Sequence, residues 1–347
     1  HKKFYIPNNA TLVVSGDYDV AEVKAMIEKY FGEIPAGEEL KDPDPMPVTL
    51  SETKKIYHED NFARAPQYTM VFPTVEQFGK DAYSLDVLAQ LLGVGKKSPM
   101  YKVLVKEKQL TSNVSVYNQA LELTGRFQIG VTANPSTSLK EVEEAIFEAF
   151  TRFETEKFTE QDLERIKAGL ETDFYRMMSS VMYKSFMLAM YSEFAGSPDF
   201  MVEELEMMKK VSMDDVWDVY NRYIKDKNYI ATSFVPKGQQ EMMAENSVRA
   251  AVSEEDITKA SQVAIEEMDE TPVEKTASAI ARTVEPAAGP EPEVRVPEVW
   301  RATLKNGIRV YGTENRELPL VSMSVVIAGG SSPAADQGGV FIHRLDE

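Results

Sequence analysis

The sequence predicts an α+β chain in which an antiparallel sheet carries helices packed on one face. Three observations lead there. Short, β-branched and alternating runs recur before residue 135, interleaved with amphipathic stretches. Residues 159–224 then read almost continuously as helix. An acidic, Pro-containing stretch over 237–298 separates all of this from a fresh β-type opening at 299–347.

Taken in order, Thr11–Ser15 is a short β-branched run and reads as a strand. Gly16-Asp17-Tyr18-Asp19 is a turn, and Asp19 caps a helix whose apolar positions are Val20, Val23, Ile27, Tyr30 and Phe31, with Gly32 at its end. Residues 35–50 are rich in Pro and acid and form a loop. Strands are expected near 53–59 and 67–72, and Asp81–Leu92 and Met100–Lys108 are expected as helices. Ser112–Ala120 and Arg126–Ala133 alternate and pair as antiparallel strands through a turn at Gly125. Leu139–Phe153 is amphipathic through Val142, Ile146, Phe150 and Phe153. Glu160–Met178, 183–194, 199–209 and 213–224 are helices, with Thr159 and Ser212 as N-caps, and Tyr229–Phe234 is a closing strand.

Within 237–298 there are 14 acidic and 6 basic residues and no aromatic, and five prolines fall between Pro272 and Pro297, so this is a solvated linker, partly helical near 253–268. Order returns at Trp300. Arg301–Leu304 and Ile308–Thr313 form a hairpin on Asn306-Gly307, Val321–Ile327 is a strand, and Gly329-Gly330 a turn.

Composition narrows function. A net charge of −18 leaves no basic face to release counterions from phosphate, which argues against a nucleic-acid partner and an anionic membrane surface. With no cysteine there are no disulfides, thiolate metal sites or cysteine nucleophiles. No apolar run reaches the length of about 18 residues that a spanning helix needs.

Four segments carry a family likeness. The first is Tyr5-Ile-Pro-Asn-Asn-Ala-Thr-Leu-Val-Val-Ser-Gly-Asp17, followed by the helix ending Phe31-Gly32-Glu-Ile-Pro35. The second is Gly93-Val-Gly-Lys-Lys-Ser-Pro-Met-Tyr-Lys-Val-Leu-Val-Lys-Glu-Lys-Gln-Leu110. The third is Gly125-Arg-Phe-Gln-Ile-Gly-Val-Thr-Ala133. The fourth is Leu304-Lys-Asn-Gly-Ile-Arg-Val310 with Leu318–Gly330. Together they resemble the insulinase/pitrilysin zinc peptidases, the M16 family. In the second segment Met100 stands where the family usually has Leu, and Val105-Lys106 replaces part of a Leu-Arg pair.

The resemblance implies a protein built from units of two similar α+β domains, two units closing around a peptide. It assigns residues 1–236 to the substrate-chamber domain of a first unit, 237–298 to a hinge linker, and 299–347 to the start of a second unit, so that the chain is a fragment. It implies a zinc-dependent metalloendopeptidase acting on peptides or small unfolded proteins. Zinc would be held by a His-x-x-Glu-His helix, with the Glu activating water. That motif is absent: the histidines are His1, His58 and His343, and no two form the pair. The metal ligands, and any catalytic residue, are therefore expected upstream of His1, and this stretch alone is expected to be inactive. The implied partners are a peptide substrate, the upstream zinc domain and the second unit, in cis or as a partner subunit. Many bacterial relatives are exported, which tilts the compartment towards the periplasm or cell envelope.

Arg126 is the substrate-binding candidate. Some members use an Arg with a Tyr on a strand–helix segment of the noncatalytic unit to hold substrate, and Arg suits a carbonyl or carboxylate. Here Pro135-Ser-Thr-Ser-Leu139 follows and offers no Tyr, and the segment belongs to the catalytic-side unit, so a surface Arg at a strand edge is the plainer reading. His58, in Ile56-Tyr-His-Glu-Asp60, reads as a strand-end His, and His343-Arg-Leu-Asp-Glu347 as a chance echo of the zinc motif in the wrong register. Gly93-Val-Gly95 lacks the third glycine of a phosphate cradle and reads as a loop between helices. The alternatives to a peptidase are a noncatalytic family member acting as partner subunit or scaffold, or an unrelated α+β binding module.

Overall fold

A computed structural model describes residues 3–252, 277–285, 287–289 and 296–326. Its centre is a six-stranded sheet. In chain order the strands are β1 (Lys54–Asp60), β2 (Gln67–Thr74), β3 (Val114–Ala120), β4 (Gly125–Thr132), β5 (Ile230–Pro236) and β6 (Val248–Arg249), and their spatial order is β3-β4-β2-β5-β1-β6.

β3 pairs antiparallel with β4, as the alternating patterns predict, and β2 pairs antiparallel with β4 and β5. The other side of the sheet departs from the expected antiparallel arrangement: β1 runs parallel to both β5 and β6. The cause is connectivity. β1 and β2 are consecutive in sequence but not adjacent, because β5 returns from the long helical excursion and inserts between them. A parallel pair needs such a long crossover. β6 falls inside the stretch read as linker; its two residues are too few to carry a periodicity.

The helices are α1 (Val20–Phe31), α2 (Lys80–Gly93), α3 (Leu139–Glu156), α4 (Glu160–Met178), α5 (Val181–Phe194), α6 (Phe200–Lys210) and α7 (Met213–Val219). The helix expected over Met100–Lys108 is π-helical at Tyr101–Glu107, and the one expected over 213–224 becomes π-helical after α7, at Tyr220–Ile224. Starts are set by side chains. Ser138, Thr159 and Ser212 each accept an N–H of the first turn, while Glu141, Asp162 and Asp215 return the bond to the cap residue's N–H. Thr159→Ala should lower the stability of the domain by about 1 kcal/mol, read as a fall in the urea midpoint at unchanged slope.

Gly93 is the last residue of α2, and the expected loop between helices begins at Val94; each glycine has a local reason. A Cβ at Gly93 would lie 2.5 Å from the Val116 side chain, and Gly95 has φ +80°.

The core lies between one sheet face and the helices. Tyr68, Met70 and Phe72 of β2 and Phe127 and Ile129 of β4 are buried against Leu85, Leu88 and Leu92 of α2 and Val142 and Ile146 of α3. Each such side chain contributes about 1.5–3 kcal/mol on leaving water.

The N-terminal segment stands apart from this core. The strand expected over Thr11–Ser15 is not formed: the segment carries no strand pairing, and α1 buries none of its residues. A β-branched run becomes a strand only where a neighbour takes up its backbone hydrogen bonds. Instead, Thr11 Oγ1 reaches Glu193 of α5 at 3.5 Å, and Val13 lines a cleft with Met182, Tyr183 and Phe186. α5 buries only Tyr191 among its own residues, leaving Met182 and Phe186 exposed.

At the far end, β7 (Trp300–Thr303) and β8 (Arg309–Gly312) form the expected hairpin, with Gly307 at φ +89° in its turn. Val321–Val326 carries no strand pairing, against expectation, and the helix near 253–268, Gly329-Gly330 and His343 lie outside the described residues, as does His1.

Candidate functional site: the open face of the sheet

Alternation along each strand sends side chains to two faces. On one, β2, β4 and β5 bury Tyr68, Phe127 and Ala231 beneath the helices. The other retains solvent. In register across it, Arg126 sits beside Pro73 and Gln119, and Gln128 beside Val71 and Tyr117. Further along, Gly130 lies beside Thr69 and Ser115, and Gln67 between Thr132 and Phe234. These positions are half-buried or exposed, whereas their sequence neighbours on the strands are mostly buried.

Arg126 is exposed, and its Nε donates to Gln119 Oε1 at 3.0 Å. Among the described residues no carboxylate pairs with it. At Gly130 a Cβ would lie 2.7 Å from Ser115 Oγ. The missing side chain leaves a polar depression of about 350 Å³ bounded by Thr69, Ser115, Thr132, Asn113 and Asn134. Among the described residues β3 is the last strand on this side of the sheet, and its outer edge is unpaired there.

His58 is placed mid-face in β1, where its ring stacks on Phe234 at 5.3 Å between centroids. That contact is structural, and His58 is the only histidine among the described residues. Among the described residues no group of three His, Cys, Asp or Glu side chains is placed to hold a metal ion. The donor set that zinc requires is therefore not met by these residues.

Two buried polar clusters went unread in the sequence. Glu143 of α3 accepts from Tyr68 Oη at 2.6 Å, Tyr229 Oη at 3.0 Å and Lys55 Nζ at 2.7 Å. Burial and the Glu143 charge push both tyrosine hydroxyls upward in pKa. A signal was present: Glu143 lies four residues after Leu139 and three before Ile146, on the apolar stripe of its helix. The second cluster joins α2, α5, α6 and β3. Asp86 accepts from Asn118 Nδ2 at 3.2 Å, and Glu204 accepts from the Tyr191 hydroxyl. Burial raises Asp86 to about 7, with the Glu204 charge adding to the rise and the Asn118 hydrogen bond opposing it. Burial also raises Glu204, and the Tyr191 hydrogen bond opposes that rise. The Tyr83 hydroxyl beside them is buried with no hydrogen-bond partner.

This helix-backed mixed sheet is an α+β fold shared with domains of known peptidase structures. A protease from Helicobacter pylori superimposes with a TM-score of 0.60 at 22% identity, over 68% of this chain and 57% of that one. A peptidase M16 inactive domain from Pseudomonas fluorescens does so with a TM-score of 0.52 at 15% identity, over 67% and 53%. The periplasmic protease PqqL of Escherichia coli gives 0.52 at 14%, over 64% and 25%.

Sequence likeness supports an M16 family fragment. The family model described as "Peptidase M16 inactive domain" matches residues 1–170. A curated relative, the zinc protease PqqE of Helicobacter pylori, is 26% identical over 233 residues, 65% of this chain and 51% of that protein. The chain thus spans about half the length of the curated relative it matches. The domain matched is the family's inactive one. Among the described residues no helix is long and apolar enough to cross a membrane.

Proposed function

We propose that this chain is the noncatalytic, chamber-wall part of a zinc-dependent metalloendopeptidase that hydrolyses peptides or small unfolded proteins. The observation that carries the reading is the sheet face that no helix among the described residues covers, with Arg126 exposed on it. A surface of extended strands matches the shape of an extended substrate, and Arg126 offers its terminal nitrogens to a peptide carbonyl or carboxylate. Residues 1–236 form the chamber domain, 237–298 the hinge and 299–347 the opening of a second unit. The zinc ligands are carried by an upstream domain of the same protein or by a partner subunit.

Exposed apolar side chains support a cover of that kind. Phe4, Leu12, Met26 and Phe31 of the N-terminal segment and Met182 and Phe186 of α5 face solvent. Likeness to the periplasmic protease PqqL and to the zinc protease PqqE supports a periplasmic zinc enzyme.

The test is peptidase activity of the full-length protein on an unfolded polypeptide, with and without a chelator. Cleavage that a chelator abolishes and zinc restores is expected, while residues 1–347 alone should be inactive. A full-length protein that binds peptide without cleaving it would make the chain part of a noncatalytic partner subunit. Zinc-restored cleavage by residues 1–347 alone would overturn the assignment of the chemistry to another domain.

A further inference from the structure

The charge on the open face differs from that of the rest of the chain. The sequence has 56 acidic against 38 basic residues. Acids crowd the outer faces of the helices, as at Glu144 and Glu148 of α3, Glu160 and Glu164 of α4, and Glu203 and Glu206 of α6. Between the strand ends the open face of β1–β5 carries no carboxylate. Its positions are filled by Gln, Thr, Ser and apolar side chains, with Arg126 and His58 as its titratable nitrogen groups and Lys54 at one end. Asp60, at the other end of β1, is turned into the following loop, where Oδ1 accepts the N–H groups of Phe62 and Ala63, each at 2.7 Å. The face is therefore neutral to positive within a chain of net charge −18.

Such a surface selects by charge. A Lys or Arg side chain of a peptide lying across it would lose water, meet no carboxylate and face Arg126. An Asp or Glu side chain would find the free end of the Arg126 guanidinium, whose Nε is already anchored on Gln119. We propose that the open face binds extended peptide segments carrying an acidic side chain and disfavours basic ones, with Arg126 receiving the carboxylate. The inference rests on the chamber-wall reading and adds the substrate class. It also runs against the field of the whole chain, which by itself would draw in basic peptides.

Three substrates of one Val- and Thr-rich sequence, differing only by Asp, Asn or Lys at one position on the side away from the scissile bond, would be compared by kcat/KM. The full-length protein would be used at about 0.15 M salt, where charges beyond about 8 Å are largely screened. The expected order is Asp, then Asn, then Lys, with Asp ahead of Asn by up to about fivefold, the range of an exposed ion pair. Arg126→Gln should bring the Asp-to-Asn ratio to about one. Gln128→Glu, which places a carboxylate on the same face two residues away, should raise the rate with the Lys peptide. Cleavage of all three at equal rates, or a ratio that survives Arg126→Gln, would overturn the charge selection while leaving the chamber-wall reading standing. A protein that neither cleaves nor binds any of the three peptides would overturn both.

Discussion

Glu143→Ala should destabilise the sheet domain by about 3–5 kcal/mol, the range for breaking a buried ion pair by removing one partner. Glu143 and Lys55 have side chains only 9% and 18% exposed, so solvent screening is weak. The carboxylate joins α3 to three separate parts of the sheet: Lys55 in β1, Tyr68 in β2 and Tyr229 just before β5. Its loss leaves an ammonium and two phenol hydroxyls with nothing to bond, each of which is costly once buried. Glu143→Gln keeps an acceptor but loses the charge, so its loss should be distinctly smaller. Urea unfolding of the three proteins at pH 7 measures the difference. A cost for Glu143→Ala below about 1 kcal/mol would mean that the cluster relaxes or hydrates and does not tie the helix to the sheet.

What could be read from the sequence, and what could not, follows from the range of the interactions involved. Helix starts were legible because capping is local: Thr159 and Asp162 are three residues apart and satisfy each other's backbone groups. The pairing of β3 with β4 was legible because a short turn leaves the chain little choice of register. The place of β5 was not, since its neighbours β1 and β2 are more than 150 residues away in sequence and nothing local encodes which edge it joins. Thr11–Ser15 misled for the same reason: β propensity states only that a segment fits a pleated surface, not that one is offered. The position of Arg126 on a strand was readable, but the face it occupies became informative only once the neighbouring strands β2 and β3 supplied the uncharged groups around it.

Asp86 should make the domain less stable as pH rises from about 4 to about 7. Its folded value of about 7, set first by burial and then by the Glu204 charge, lies well above the unfolded value of about 3.9. The native state therefore holds a proton that the unfolded chain has released, and stability falls with pH throughout that window, by about 4 kcal/mol in all, levelling off above pH 7. Glu204 is shifted in the same direction, and the groups facing the pair are Asn118 of β3, Tyr83 of α2 and Tyr183 and Tyr191 of α5, none of them a cation. Asp215 has the opposite sign. The Ser212 hydroxyl and N–H, and then Lys80, hold it down to about 2, so its contribution is present above about pH 4 and is lost as pH falls towards 2. Asp86→Asn separates the two effects, because the amide oxygen can still accept from Asn118 while no proton is gained or lost. The variant should match the parent below about pH 4 and exceed it by a few kcal/mol at pH 8, as read by urea unfolding at each pH. Equal stability of the two at pH 8 would mean that Asp86 is ionised and hydrated in the native state. The attachment of the α5–α6 pair to α2 would then be indifferent to pH in this range.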